Sequence, residues 1–232
     1  MSNWNINPIW VPKNNHFHPI DWAYFSFSSV TQNIISFLQK NPIANAQVFI
    51  RGGLLEKTIP YPNSDLDLMI LSKQSRTIYA DWSELEQYGH PFDIKVIPDR
   101  QIHPVFSLLL HTRSLQVSGH PFDQKPVKVS RDLWDAHWRL YGLNRLPKVL
   151  VSHGPQRLSQ VKQIFRSVGL IHTLDTGEFT RDLRVCLEWS QDYSPRLSHE
   201  LKNIYYALHK HDYRPIPIDW ILMWLHQEYE KR

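Results

Sequence analysis

Asp65 and Asp67 stand two residues apart in SDLDLMIL, a run that is otherwise mostly apolar. In an extended strand, residues i and i+2 point to the same side. The two carboxylates therefore project together, while Leu66, Leu68 and Ile70 point into a core. Neighbouring carboxylates repel, and no Lys or Arg lies between these two. A divalent cation is the natural compensation, because hard oxygen ligands suit Mg2+. With 14 Asp in 232 residues, roughly one such pair arises by chance, so the context must decide.

That context is a pair of glycines and a third acid. Gly52-Gly53 closes the β-type run AQVFIRGG, and Asp65 follows Gly52 by 13 residues. Glycines there let backbone N–H groups approach a phosphate closely, particularly if a helix starts at Leu54. The alternating run PFDIKVIP places Asp93 and Lys95 on one face and Phe92, Ile94 and Val96 on the other. If it lies beside SDLDLMIL, three carboxylates converge on one side of a sheet. The tetrapeptide His-Pro-Phe-Asp occurs at 90–93 and again at 120–123, so Asp123 competes with Asp93. Asp123 follows Gly119 and Pro121 and precedes Pro126, a loop setting, and Asp93 is preferred. Arg51 and Lys57 are nearby cations for which a site role and a solvated surface role both stay open.

At FIRGG, SDLDLMI and FDIKV the chain resembles the polymerase-beta-like nucleotidyltransferase superfamily, over about residues 28–98. The resemblance implies a small mixed sheet flanked by helices and followed by a helical domain. It implies two Mg2+ ions on Asp65 and Asp67, with Asp93 as third ligand or as the base for the attacking hydroxyl. Gly52, Gly53 and Ser64 would face the nucleotide, ATP or another nucleoside triphosphate. Many members carry Ser where this chain has Gly53, which leaves only backbone donors at that point. The products would be a nucleotidylated acceptor and pyrophosphate. The acceptor implied first is a small hydroxylated molecule of the aminoglycoside type. Transfer to tRNA or protein, as in toxin–antitoxin systems, and a catalytically silent nucleotide-binding regulator are the alternatives.

The elements needed to hold these residues are visible in the pattern. Residues 1–25 form an irregular, Asn-, Pro- and Trp-rich arm. A helix begins near Ser28, with Ser29 and Gln32 spaced as a capping box, and Asn41-Pro42 ends it. Strand, strand, a short helix around Trp82 to Tyr88, and a third strand follow. Val105, Leu108, Leu109, Thr112 and Leu115 predict a helix ending at Gly119. Leu158, Val161, Ile164, Phe165, Val168 and Ile171 make the cleanest helical stripe. Further helical segments cover 133–140, 179–189, 198–208 and 219–229, with no strand of comparable quality after Val129. The expected class is α/β (α+β): a nucleotidyltransferase domain over 26–120 and a mostly helical domain over 121–232.

Composition narrows the setting. The 42% hydrophobic content is ample for a core, and one cysteine, Cys186, excludes a disulfide framework or Cys-rich zinc site. Neither a P-loop nor a dinucleotide glycine motif occurs among the 8 glycines. The pairs His16/His18 and His209/His211 occur at chance frequency and carry no metal-site expectation. No apolar run reaches the ~20 residues of a membrane span, and the first residues lack a signal-peptide pattern. A cytoplasmic protein with no membrane partner is expected, and oligomeric state is not encoded in any recognisable pattern. The net charge of +4 is modest and its cations are scattered, which favours a small acceptor over a nucleic acid. Helices could still gather Arg181, Arg184, Lys202 and Lys210. For a small acceptor, at most two of Asp182, Glu188 and Trp189 are expected to line the pocket, since Asp182 and Trp189 share a helix face from which Glu188 is offset. A role in solubility or packing fits each as well.

Overall fold

In the computed structural model of the chain, the described residues are 9–11, 16–17, 27–51, 55, 66–73, 92–98, 102–122, 127–141, 146, 148–150, 154–210 and 214–232. They belong to two units, one spanning 17–127 and the other 128–232 with 8–16.

The first unit is built on four strands: β1 (Ala46–Arg51), β2 (Leu66–Ser72), β3 (Phe92–Pro98) and β4 (Ser114–Ser118). Their order is β3-β2-β1-β4, with β2 and β3 parallel and the other two pairings antiparallel. The mixed sheet is thus the one the α/β reading requires. β2 runs between two neighbours, and its residues Leu68, Met69, Ile70 and Leu71 are all buried. A strand covered on both faces reads as a continuous apolar run. The face that carries Asp67 is therefore core beyond it: Met69 and Leu71 pack with Phe49, Ile97 and Leu110, against which Ile102, Phe106 and Phe122 lie.

Among the described residues, two full helices flank this sheet. α1 (Ser29–Lys40) packs on β4 and buries Thr31, Ile34 and Leu38. Its cap is Ser28, whose Oγ accepts from the Thr31 amide at 3.1 Å, one residue before the expected Ser29 box. Adjacent serines fit the cap equally by type, and the buried stripe selects the first. The Gln32 side chain instead donates to the Phe27 carbonyl. α2 (Pro104–Thr112) is capped by His103 and ends sooner than predicted. Leu115, read as the last residue of its stripe, belongs with Val117 to β4, because Ser114–Ser118 alternates and completes the ladder on β1. Gly119 then ends a strand and not a helix. Its φ is +93°, and a Cβ there would stand 2.3 Å from the Ala46 carbonyl oxygen.

The second unit is mostly helical: α3 (Arg131–Tyr141), α4 (Gly154–Thr176), α5 (Leu183–Trp189), α6 (Pro195–His209) and α7 (Asp219–Lys231). The stripe Val161, Ile164, Phe165, Val168 and Ile171 on α4 is fully buried, and α4 packs on α3, α5, α6 and α7. Gly169 lets Cys186 approach, since a Cβ there would lie 2.7 Å from the buried thiol sulfur. Two small ladders were not anticipated. Ile9–Trp10 pairs with Phe179–Thr180, and Ile216–Pro217 with Val149–Leu150. The segment expected to be helical from Phe179 is therefore strand first, with helix only from Leu183. Among the described residues, no helix is long and apolar enough to cross a membrane. The expected helix at 82–88 lies outside the described residues.

Candidate active site

β2 and β3 pair in register, Asp67 opposite Asp93 and Leu68 opposite Ile94. Residues directly opposite across a ladder project from the same face, and neighbouring strands are about 4.8 Å apart. The two carboxylates therefore stand side by side. On the other side of β2, Arg51 is the register partner of Asp67, and Ser114 is the partner of Arg51. Ser114, Arg51, Asp67 and Asp93 consequently form one transverse row across four strands. The row lies where β1 ends and β2, β3 and β4 begin. Beyond it on the same face lies the Phe49–Met69–Leu71–Ile97 core, which fixes the strands beneath the charges.

Cations balance the acids. Lys95 Nζ donates to Asp93 Oδ2 at 2.9 Å, from the same face of β3. Both side chains are nearly half exposed, at 47% and 43%, so the pair is worth at most about 1 kcal/mol. Arg51, opposite Asp67, is a cation within the row itself. Spacing along the chain could not reveal this, because Arg51 and Asp67 meet only through strand pairing.

Asp65, Gly52, Gly53 and Ser64 lie outside the described residues, as do Lys57 and Asp123. Leu55, between the glycines and Asp65, is helical and fully buried. Among the described residues no three His, Cys, Asp or Glu side chains gather as a metal site. Asp67 and Asp93 are the described part of the expected trio. As donors they suit a hard divalent cation: adjacent carboxylates, one strand apart, on one face.

The two copies of His-Pro-Phe-Asp lie in different settings, the first entering β3 at Phe92 and the second following β4. In the second, Phe122 packs edge-on to Phe49 at 5.2 Å, and its amide donates to Gln116 Oε1 at 2.9 Å. The side-chain amides of Gln47 and Gln116 both donate to the His120 carbonyl. Those contacts are structural and secure the turn after β4.

The acceptor residues expected in the second unit have other partners. Asp182 is the N-cap of α5, its Oδ1 accepting from the amides of Arg184 at 2.8 Å and Val185 at 3.1 Å. Glu188 accepts from Arg184 Nε at 3.1 Å on an exposed helix face. Trp189 is buried and stacks on His172, centroids 4.0 Å apart and rings 14° from parallel. Arg184 and Lys202 do come together, as two linings of a shallow groove with Glu188, Tyr205 and Tyr206.

No family model and no curated protein sequence matches the chain. Among solved structures, it is similar to spectinomycin adenyltransferase AAD(9) from Enterococcus faecialis, crystallised with ATP and spectinomycin. The TM-score is 0.50 at 12% identity, over 86% of this chain and 97% of that one. The likeness is one of fold. It accords with the mixed sheet and the mostly helical unit after it. Chemically, the paired carboxylates can hold a cation, and a carboxylate beside it can accept a hydroxyl proton.

Proposed function

We propose that this chain is a Mg2+-dependent nucleotidyltransferase that moves AMP from ATP to a hydroxyl of a small acceptor in the cytoplasm. The observation that carries the proposal is the in-register pairing of Asp67 with Asp93 across parallel strands. The fold likeness to an adenyltransferase crystallised with ATP and spectinomycin supports both the nucleotide and a small acceptor of that kind. The modest charge of +4 supports the same choice.

In this reading residues 26–120 form the catalytic domain, and 121–232 the helical one. Asp65 and Asp67 hold the cation, with Asp93 as a third ligand or as the base. When bound, Mg2+ supplies positive charge against the triphosphate and polarises the α-phosphate. Gly52, Gly53 and Ser64 present backbone and hydroxyl donors to the phosphates. The acceptor oxygen attacks the α-phosphorus, and the bond to the bridging oxygen of the β-phosphate breaks. Pyrophosphate leaves with that electron pair, and Asp93 is placed to take the hydroxyl proton. Arg51 and the buried floor keep Asp67 oriented.

The test is to incubate the protein with Mg2+ and α-labelled ATP beside a panel of aminocyclitol and aminoglycoside acceptors, with total tRNA and protein in parallel. Label on a small acceptor, lost in Asp67→Asn and Asp93→Asn, is expected. Label on tRNA alone, with steep salt sensitivity, would overturn the acceptor class. No pyrophosphate release with any acceptor would overturn the enzyme.

A further inference from the structure

Lys95 stands two residues beyond Asp93 on β3, and its register partner on β2 is the fully buried Met69. Beside an apolar neighbour, a lysine keeps its stem over the surface and sends only the ammonium outward. Here the ammonium meets Asp93 Oδ2 at 2.9 Å. Resting on the proposed role of Asp93 in cation binding, we infer that Lys95 is a built-in counter-ion for that carboxylate. It holds the site in its metal-free form and must release Asp93 when a divalent cation arrives.

Three observations support this. The contact is made to the very carboxylate that lies in register with Asp67. With Arg51 opposite Asp67 and Lys95 against Asp93, two cations stand with the two described acids, so these four described charges sum to about zero before any metal enters. The pair is also nearly half exposed, and water weakens it enough for a divalent ion to displace it. Lys95 is thus a positioning residue that lowers metal affinity and keeps the empty site ordered. Once freed, its ammonium stands beside the cation, where a triphosphate would bring negative charge.

The test measures Mn2+ binding to the full chain by electron paramagnetic resonance, without nucleotide or acceptor. Wild type is compared with Lys95→Gln, Lys95→Met, Lys95→Arg and, as reference, Asp93→Asn. Lys95→Gln and Lys95→Met should both bind Mn2+ about threefold more tightly, the scale of a surface ion pair. Lys95→Arg should stay close to wild type, and Asp93→Asn should bind weakly. Unchanged or weaker binding in both neutral variants, with wild type binding normally, would overturn the counter-ion and leave the proposed function standing. Wild type binding no better than Asp93→Asn would overturn the metal role of Asp93, and the inference with it.

Discussion

Asp67 and Asp93 are register partners in a parallel ladder, so two acids far apart in the chain share one face of the sheet. Replacing either by Asn keeps size and removes charge. Nucleotidyl transfer should fall by at least ~100-fold in Asp67→Asn and Asp93→Asn. Circular dichroism and urea midpoints should remain close to wild type, because the carboxylate repulsion relieved and the exposed Lys95–Asp93 pair lost are both small. Asp123→Ala should keep normal activity. Pyrophosphate release measured on all three variants tests the assignment, and a dead Asp123 variant beside an active Asp93 variant would reverse it.

Gly119→Ala should destabilise the first unit. The added methyl meets the Ala46 carbonyl oxygen at 2.3 Å, and the backbone is held at φ +93°. A strained position of this type costs about 1–3 kcal/mol before any clash is counted. Urea unfolding should report a loss of about 2 kcal/mol or more, and an unchanged midpoint would contradict the close approach.

His172 makes the second unit sensitive to acid. Burial holds its pKa below the usual imidazole value, although Asp192, Glu178 and Asp175 pull it upward. A lowered pKa means the folded state resists protonation. The stability from neutral His172 is therefore complete above about pH 6.5, the unfolded value, and is lost as pH falls through the lower folded value. Urea midpoints between about pH 8 and about pH 5 should decline on the acid side, and less so in His172→Gln. Trp189, stacked on the ring, should change fluorescence over the same range.

Asp182→Ala should cost stability and spare acceptor binding. Its carboxylate caps α5 through two backbone amides, a contribution of about 0.5–2 kcal/mol. Thermal unfolding should register that loss while KM for any acceptor stays at its wild-type value. A raised KM without destabilisation would restore Asp182 to the acceptor pocket.

Local patterns made much of this fold legible. The stripe on α4 and the runs around Asp67 and Asp93 announced their elements, because burial of one face imposes a period on each. The failures came where two periods overlap. Leu115 continues the helical spacing of α2, yet Leu115 and Val117 also alternate, and only the open edge of β1 decides for a strand. Within the candidate site, the shared face of Asp93 and Lys95 was legible, and the register place of Arg51 was not. Lys95 shares a strand with Asp93, but Arg51 reaches the row through a ladder that no spacing along the chain encodes. Asp182 and Trp189 could be read either way, because caps and core stacking use the same residue types as a binding pocket.

The sheet order has a consequence for how the site opens. β2 is bonded on both sides, whereas β3, among the described strands, is bonded only to β2. A strand held along one side separates at lower free energy than one held along two. Asp67 therefore sits on the anvil and Asp93 on the hammer. Amide hydrogens of β3 should exchange with solvent sooner than those of β2, and metal at the carboxylates should slow β3 most.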